Sequence, residues 1–158
     1  MTAGANVVSA SNVVDAWITA DPRRAAIVAG RVRCVVGTLL LFMPRWAARL
    51  EFGPSADAPA PSWMLRMLGI RDIVLGLGAI IAASERRGGA NWISMAALVD
   101  AGDAVACLGT RRLPFRARIF VVPALVSTWA HWRIGKALAQ AEFPGASTER
   151  VTGIEPAL

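Results

Sequence analysis

Charged side chains are scarce in this chain of 158 residues. Asp, Glu, Lys and Arg together make up 18 % of the sequence, whereas hydrophobic residues make up 55 %. Soluble domains usually contain about 25 % charged and about 45–50 % apolar residues, so this composition favours a membrane protein. The mean hydropathy of +0.48 points the same way. The length is sufficient for one domain.

Lysine is nearly absent: Lys136 is the only one, and the net charge of +6 comes almost wholly from arginine. A basic chain suits either nucleic acid or the anionic headgroups of a membrane. Here the arginines flank or interrupt apolar runs instead of lining a polar surface. We therefore predict the lipid bilayer as a partner, and no nucleic acid.

Cysteine is also rare, and the sequence lacks the common catalytic motifs. Cys34 and Cys107 belong to no CxxC or Cys/His cluster, so we predict free thiols and no metal site. No P-loop, dinucleotide fingerprint, HExxH or nucleophile elbow is present. We therefore expect no cofactor and no catalytic residues, and the sequence leans against an enzyme. Nor do we expect a cleavable signal peptide or lipidation.

Four long apolar segments fill most of the chain. They run over about residues 24–43, 63–83, 91–109 and 118–137. Twenty residues of α-helix cover about 30 Å, the thickness of the hydrocarbon core of a bilayer. The sequence thus predicts an all-α fold, a four-transmembrane-helix bundle over residues 22–139.

The segments on either side of the bundle are more polar. Within residues 1–21, apolar side chains recur at helical spacing between Ser9, Asn12 and Asp15. This pattern predicts an N-terminal amphipathic helix in the membrane interface; a disordered tail is the alternative. Residues 140–158 are predicted to form a polar C-terminal tail.

The positive charges that flank the spans are nearly balanced. With four crossings, seven basic residues fall on the side of the termini and six on the other side. The chain is predicted to be a multi-pass protein of the cell membrane. The small excess of basic residues favours an orientation with both termini in the cytoplasm.

Charges interrupt three of the four apolar segments. They are Arg31, Arg33, Arg66, Arg71, Asp72, Asp100 and Asp103. A soluble helical bundle is therefore the competing fold. The stretches between the charges are apolar on all faces, whereas a soluble surface helix would show a polar stripe, so the membrane fold is favoured.

Most of these charges fall at one level of the predicted membrane. Arg33, Arg71, Asp72 and Asp100 lie within one turn of the midplane, and Asp103 lies one turn beyond Asp100. A charge at the bilayer centre costs about 2.5–3.5 kcal/mol on insertion scales, so these groups are expected to face inward and pair. Including Arg31 gives three arginines and three aspartates, a net charge of zero.

Two interpretations of this charge network stay open. Net neutrality favours a structural ion-pair network, whereas intramembrane ionisable groups often mark a site for a proton, an ion or a headgroup. If Arg31 reaches the nearer interface instead, one aspartate is left free to titrate, which favours function. His131, near the end of the fourth segment, is interpreted as an interfacial group.

Small residues predict close helix packing. Gly30 and Gly102 belong to small-xxx-small patterns, and Gly69 and Gly76 stand seven residues apart. Together with Gly37, these glycines are expected to let helices approach closely.

Three stretches resemble an uncharacterised family of small four-helix membrane proteins common in actinobacteria. They are GTLLLFMPRWAARL at 37–50, LGIRDIVLG at 68–76 and ALVDAGDAVACL at 97–108. The family pattern is an Arg one turn before a Gly, then LGxRD, then an Asp pair, matched here by Arg33, Gly69, Arg71, Asp72, Asp100 and Asp103. It implies a fold and no activity. A second resemblance, to the DoxX-like membrane proteins, implies a role in redox and thiol stress.

The small size and the short loops favour a non-enzymatic accessory or structural subunit, in a larger membrane complex or a homo-oligomer. A small transporter or channel for ions or protons that uses the charge network is the alternative, and a DoxX-like redox subunit is another.

Overall fold

The computed structural model describes residues 10–53, 59–113 and 115–143. These residues form seven α-helices and no strand, which confirms the all-α prediction for this part of the chain. The helices are α1 Ala10–Ala20, α2 Pro22–Phe42, α3 Pro44–Phe52, α4 Pro59–Ser84, α5 Gly89–Gly109, α6 Phe115–Ile119 and α7 Val121–Glu142. Of the predicted polar tail at 140–158, residues 140–142 belong to α7, and residues 144–158 lie outside the described ranges, as do the first nine residues.

Helix α2 begins and ends where the sequence predicts. The carboxylate of Asp21 accepts a hydrogen bond of 2.9 Å from the backbone N–H of Arg24, and Pro22 takes the first helical position. Pro44 has no N–H and cannot continue the helix, so α2 stops at Phe42 and α3 starts at Pro44.

Among the described residues, three helices are long and apolar enough to cross a membrane. They are Pro22–Phe42, Ser62–Ser84 within α4, and Gly89–Gly109, of 21, 23 and 21 residues. These bounds match the first three predicted spans to within about two residues at each end. The fourth predicted span is divided: α6 ends at Ile119, and α7, of 22 residues, begins at Val121 and does not meet the same criterion.

The surface of the bundle is mostly apolar. Large hydrophobic side chains are exposed along α2, α4, α5 and α7, among them Val32, Val35, Leu39, Ile70, Val74, Leu98, Val105, Leu125 and Val126. The buried polar residues are Arg33, Asp72, Asp100 and His131. A soluble monomer rarely exposes an apolar patch above a few hundred Å², so this reversed distribution fits a protein embedded in lipid.

A seam of four glycines joins α2 to α4. The two helices run antiparallel, so Gly30 faces Gly76 and Gly37 faces Gly69. A Cβ built on any of these glycines would lie 2.5–2.7 Å from the carbonyl oxygen of the glycine opposite. No real side-chain carbon could fit there, and the seam therefore brings the two backbones into direct contact.

Helices α5 and α7 form the second close pair. Gly135 lies against Ile93 and Ser94, and the fully buried Leu138 packs beside Gly89. The backbone N–H of Gly89 donates to Oε1 of Glu142 over 3.2 Å. The start of α5 is therefore level with the end of α7, and the two helices run antiparallel.

Helix α1 lies across the end of the bundle that holds the start of α2 and the end of α7. Ile18, only 2 % exposed, packs into a core cluster with Ala25, Ala83, Ile134 and neighbouring residues. Asp15 forms an ion pair with Arg133 of α7, with 2.9 Å between Oδ1 and Nη2. A helix therefore runs over Ala10–Ala20 and is docked onto the bundle.

Helix α3 places a carboxyl group in a partly buried position. Burial raises the pKa of Glu51 above its usual value, because the charged form loses hydration. The native state thus binds the proton of Glu51 more tightly than the unfolded state does. The stability that this proton contributes is lost as the pH rises through the raised pKa. Glu51→Gln is expected to raise the thermal midpoint in detergent at pH 7 and to leave it unchanged at pH 3. An equal change at both pH values would contradict this assignment.

Candidate functional site

Arg33 is the centre of a buried charge cluster that contacts all four long helices. Its guanidinium donates through Nη1 to Oδ1 of Asp72 on α4 over 2.7 Å, and through Nη2 to Oδ1 of Asp100 on α5. Nη2 also lies 3.3 Å from the carbonyl oxygen of Ala96, and Nε lies 3.4 Å from Nε2 of His131 on α7. Arg33 and Asp100 are each 6 % exposed.

Arg71 forms a second pair at the edge of the cluster. Nη1 and Nη2 donate to the two oxygens of Asp103 over 2.9 and 2.8 Å, a bidentate contact between α4 and α5. Nη2 also lies 3.2 Å from Oδ1 of Asp72, which links the pair to Arg33. The Asp103 side chain is 40 % exposed, so the cluster is open on this side.

Helix α7 adds two polar groups around Asp100. The hydroxyl of Ser127 donates to Oδ2 of Asp100 over 2.6 Å, and Nδ1 of His131 lies 3.3 Å from the same oxygen. Nδ1 also lies 2.8 Å from the carbonyl oxygen of Ser127. Asp100 thus receives contacts from α2 and from α7.

The neighbours of His131 define its tautomer. The guanidinium of Arg33 can only donate hydrogen bonds, so Nε2 of His131 is the acceptor in its contact with Nε of Arg33. Nδ1 then carries the ring proton and donates to the carbonyl oxygen of Ser127.

The charge count of the cluster differs from the prediction. Arg31 is exposed on the outer surface of α2 and makes no ion pair with a described residue. Successive helical residues are about 100° apart, so Arg31 and Arg33 point in nearly opposite directions. Two guanidinium groups therefore face three carboxylates, so the formal charges of these arginines and aspartates sum to −1.

The sequence reasoning missed His131 and Ser127. His131 is 6 % exposed and belongs to the cluster, and the expectation of an interfacial group was wrong. The fourth long helix thus contributes polar side chains to the cluster, whereas the predicted network contained charges from the first three helices alone. The sequence does contain a signal for the two residues: Ser127 and His131 are four residues apart, and residues at this spacing share one face of a helix.

The predicted packing glycines divide into two groups. Gly30, Gly37, Gly69 and Gly76 form the seam between α2 and α4, next to Arg33 and Asp72 in sequence. Gly102 is exposed, and a Cβ built there would meet no atom within 4 Å. It lies two residues after Asp100 and therefore faces the opposite way.

Within the described ranges, no group of three or more His, Cys, Asp or Glu residues is arranged to hold a metal ion. The carboxylates of the cluster are instead directed at guanidinium groups. A comparison of the chain with protein-family models, with curated proteins and with solved structures finds no match. The family resemblance stays a prediction.

Proposed function

We propose that the chain is a multi-pass protein of the cell membrane that crosses the bilayer four times. Helix α7 would be the fourth crossing. It runs antiparallel to α5 and is one residue longer, and its most polar central residues, Ser127 and His131, face the bundle and not the lipid. Part of the lowering of its hydropathy thus comes from groups that are directed into the bundle. Both termini are proposed to lie in the cytoplasm, with α1 in the interface.

We further propose that the protein is a non-enzymatic structural or accessory subunit of a larger membrane assembly or a homo-oligomer. The observation that carries this proposal is that every carboxylate of the cluster is paired and that the pairs join α2, α4, α5 and α7. Such a network specifies which helices pack together and in which register. It turns a small chain into a rigid scaffold.

The test is purification of the full chain from native membranes in a mild detergent. A stoichiometric partner, or a defined oligomer of this chain alone, is the expected result. A monomer that brings down no partner, and that stays monomeric after crosslinking in the membrane, would contradict the proposal.

The negative charge of the cluster favours proton binding as a second function. An uncompensated charge inside a membrane is costly, and one bound proton would make the cluster neutral. A proton added to His131 would convert Nε2 from an acceptor into a donor. The Arg33 Nε–H would then face another N–H, and the contact between α2 and α7 would weaken. Asp103, on the open side, is the entry point.

Proton movement can be measured in liposomes that contain the purified chain and a pH-sensitive dye. A potassium gradient with valinomycin supplies the driving force. Asp103→Asn is expected to reduce proton uptake by at least about 100-fold, the lower end of the contribution of a single positioned proton-transfer group. Arg31→Gln, on the outer surface of α2, is the matched control and should leave uptake unchanged. Uptake that Asp103→Asn does not alter would remove the proton pathway and leave the structural function.

A further inference from the structure

A cleft separates α1 from the last turns of α7. Its volume is about 170 Å³, and it is lined by Ile18, Thr19, Arg133, Lys136, Ala137 and Gln140. The cleft is distinct from the charge cluster, which lies closer to the middle of the bundle.

The depth of the cleft follows from the pairing of α5 with α7. Glu142 is level with the first residue of α5, and Gly135 is level with Ile93 and Ser94. Lys136 lies six residues before Glu142, about 9 Å from this end at 1.5 Å per residue. Its ammonium lies over Trp132, one turn further from the end, whereas Gln140 lies one turn nearer to it. The cleft therefore extends from the level of Lys136 towards the end of the bundle, which the proposed membrane placement puts at the height of the lipid headgroups.

The polar groups of the cleft suit an anion. Lys136 and Arg133 supply two positive charges, and Gln140 supplies amide donors. Asp15 neutralises part of the charge of Arg133, so the site keeps a net charge of about +1. The Thr19 hydroxyl already donates to the backbone carbonyl oxygen of Asp15 in α1, over 2.9 Å, and is therefore not counted as a donor to an anion in the cleft.

Aromatic and apolar surface surrounds the charged groups. The ammonium of Lys136 lies 4.6 Å from the centre of the exposed Trp132 ring, a cation–π contact that holds the charge beside the cleft. Trp17 and Val14 of α1 are also exposed at this end. A ligand that fits both surfaces carries an anionic group and long apolar chains.

We infer that the cleft binds the phosphate group of an anionic phospholipid, with Lys136 and Arg133 on the phosphate and the acyl chains against the exposed apolar faces of α1 and α7. Basic pockets beside membrane helices recognise such headgroups. The inference rests on the proposed membrane placement of α1 and α7. It assigns a task to the only lysine of the chain, which the structural and proton functions do not use.

The experiment is native mass spectrometry of the full chain released from nanodiscs. The nanodiscs contain equal amounts of phosphatidylglycerol and phosphatidylcholine with the same acyl chains. The wild-type chain is expected to retain phosphatidylglycerol preferentially. Lys136→Gln is expected to reduce the retained fraction about fivefold, the effect of one cation at a membrane surface. This variant leaves the Arg133–Asp15 ion pair in place and should keep the thermal midpoint.

Arg86→Gln with Arg87→Gln is the matched control, because these exposed arginines lie at the same end of the bundle and outside the cleft. Equal retention of the two lipids by the wild type, or an equal loss in the control, would overturn the site. Displacement of the lipid by millimolar inorganic phosphate would identify free phosphate as the ligand and also overturn it. Extraction of the chain from native membranes by alkaline carbonate would instead contradict the proposed membrane placement.

Discussion

Arg33→Ala is expected to destabilise the bundle by about 3–5 kcal/mol, the cost of breaking a buried ion pair by removal of one partner. The substitution leaves Asp72 and Asp100 facing each other without the guanidinium that lies between them. It also removes the Nε–H that contacts His131. The measurement is the thermal midpoint of the purified chain in detergent, followed by size-exclusion chromatography after heating. We expect a large fall in the midpoint or a loss of folded protein.

The matched control is Arg31→Ala, two residues earlier on the same helix. Arg31 is exposed and lies outside the cluster, so this variant should keep the midpoint of the wild type within a few degrees. A variant without Arg33 that is as stable as the variant without Arg31 would show that the cluster does not hold the helices together. If Arg33→Ala yields no folded protein, Arg33→Lys provides the milder test. Its charge is kept but its contacts with two acids at once are lost.

Gly76→Ala is expected to separate α2 from α4. The new Cβ would lie 2.5 Å from the carbonyl oxygen of Gly30 and 2.7 Å from Sγ of Cys34. The nearest atom belongs to the backbone and cannot rotate away, so the two helices must move apart. Overpacking of this kind costs about 1–3 kcal/mol, and more where the backbone must shift. Because the seam is next to Arg33 and Asp72, the same shift would lengthen their ion pair.

Gly102→Ala is the matched control for the seam. It makes the same chemical change in a membrane-spanning helix, at a position where the new Cβ meets no atom within 4 Å. Alanine is a better helix former than glycine by up to about 1 kcal/mol, so this variant should be equal to the wild type or slightly more stable. Thermal midpoints measured side by side decide the matter. Similar midpoints for the two variants would show that the close approach is not required.

The sequence predicts which residues belong to the cluster better than it predicts which of them contact each other. Arg33, Asp72 and Asp100 could be identified because charges inside apolar helices must be buried and paired. The pairing itself depends on the rotation of each helix about its axis, which a linear pattern describes only through the 100° step between residues. Applying that step would have separated Arg31 from Arg33, and Gly102 from Asp100.

Helix α7 shows why the rest of the site was missed. Its hydropathy is too low for a helix that contacts only lipid, since it carries His131, Arg133 and Lys136 within six residues. Those side chains make different contacts: His131 faces the cluster, Arg133 pairs with Asp15, and Lys136 lies over Trp132. Each contact is formed with residues far away in the chain or on another turn, so a local pattern could show which residues of α7 share a face but not what that face contacts.

The position of Asp100 has a consequence for synthesis of the chain on the ribosome. Arg33 and Asp72 leave the translocon first, and Asp100 joins them with α5, but Ser127 and His131 are made last. Until α7 arrives, one carboxylate oxygen of Asp100 lacks its hydroxyl donor and Nε of Arg33 lacks its acceptor. Unsatisfied polar groups are costly in lipid. If α7 is the fourth crossing, as proposed, the polar interior of the bundle is complete only when this last helix has packed against the other three.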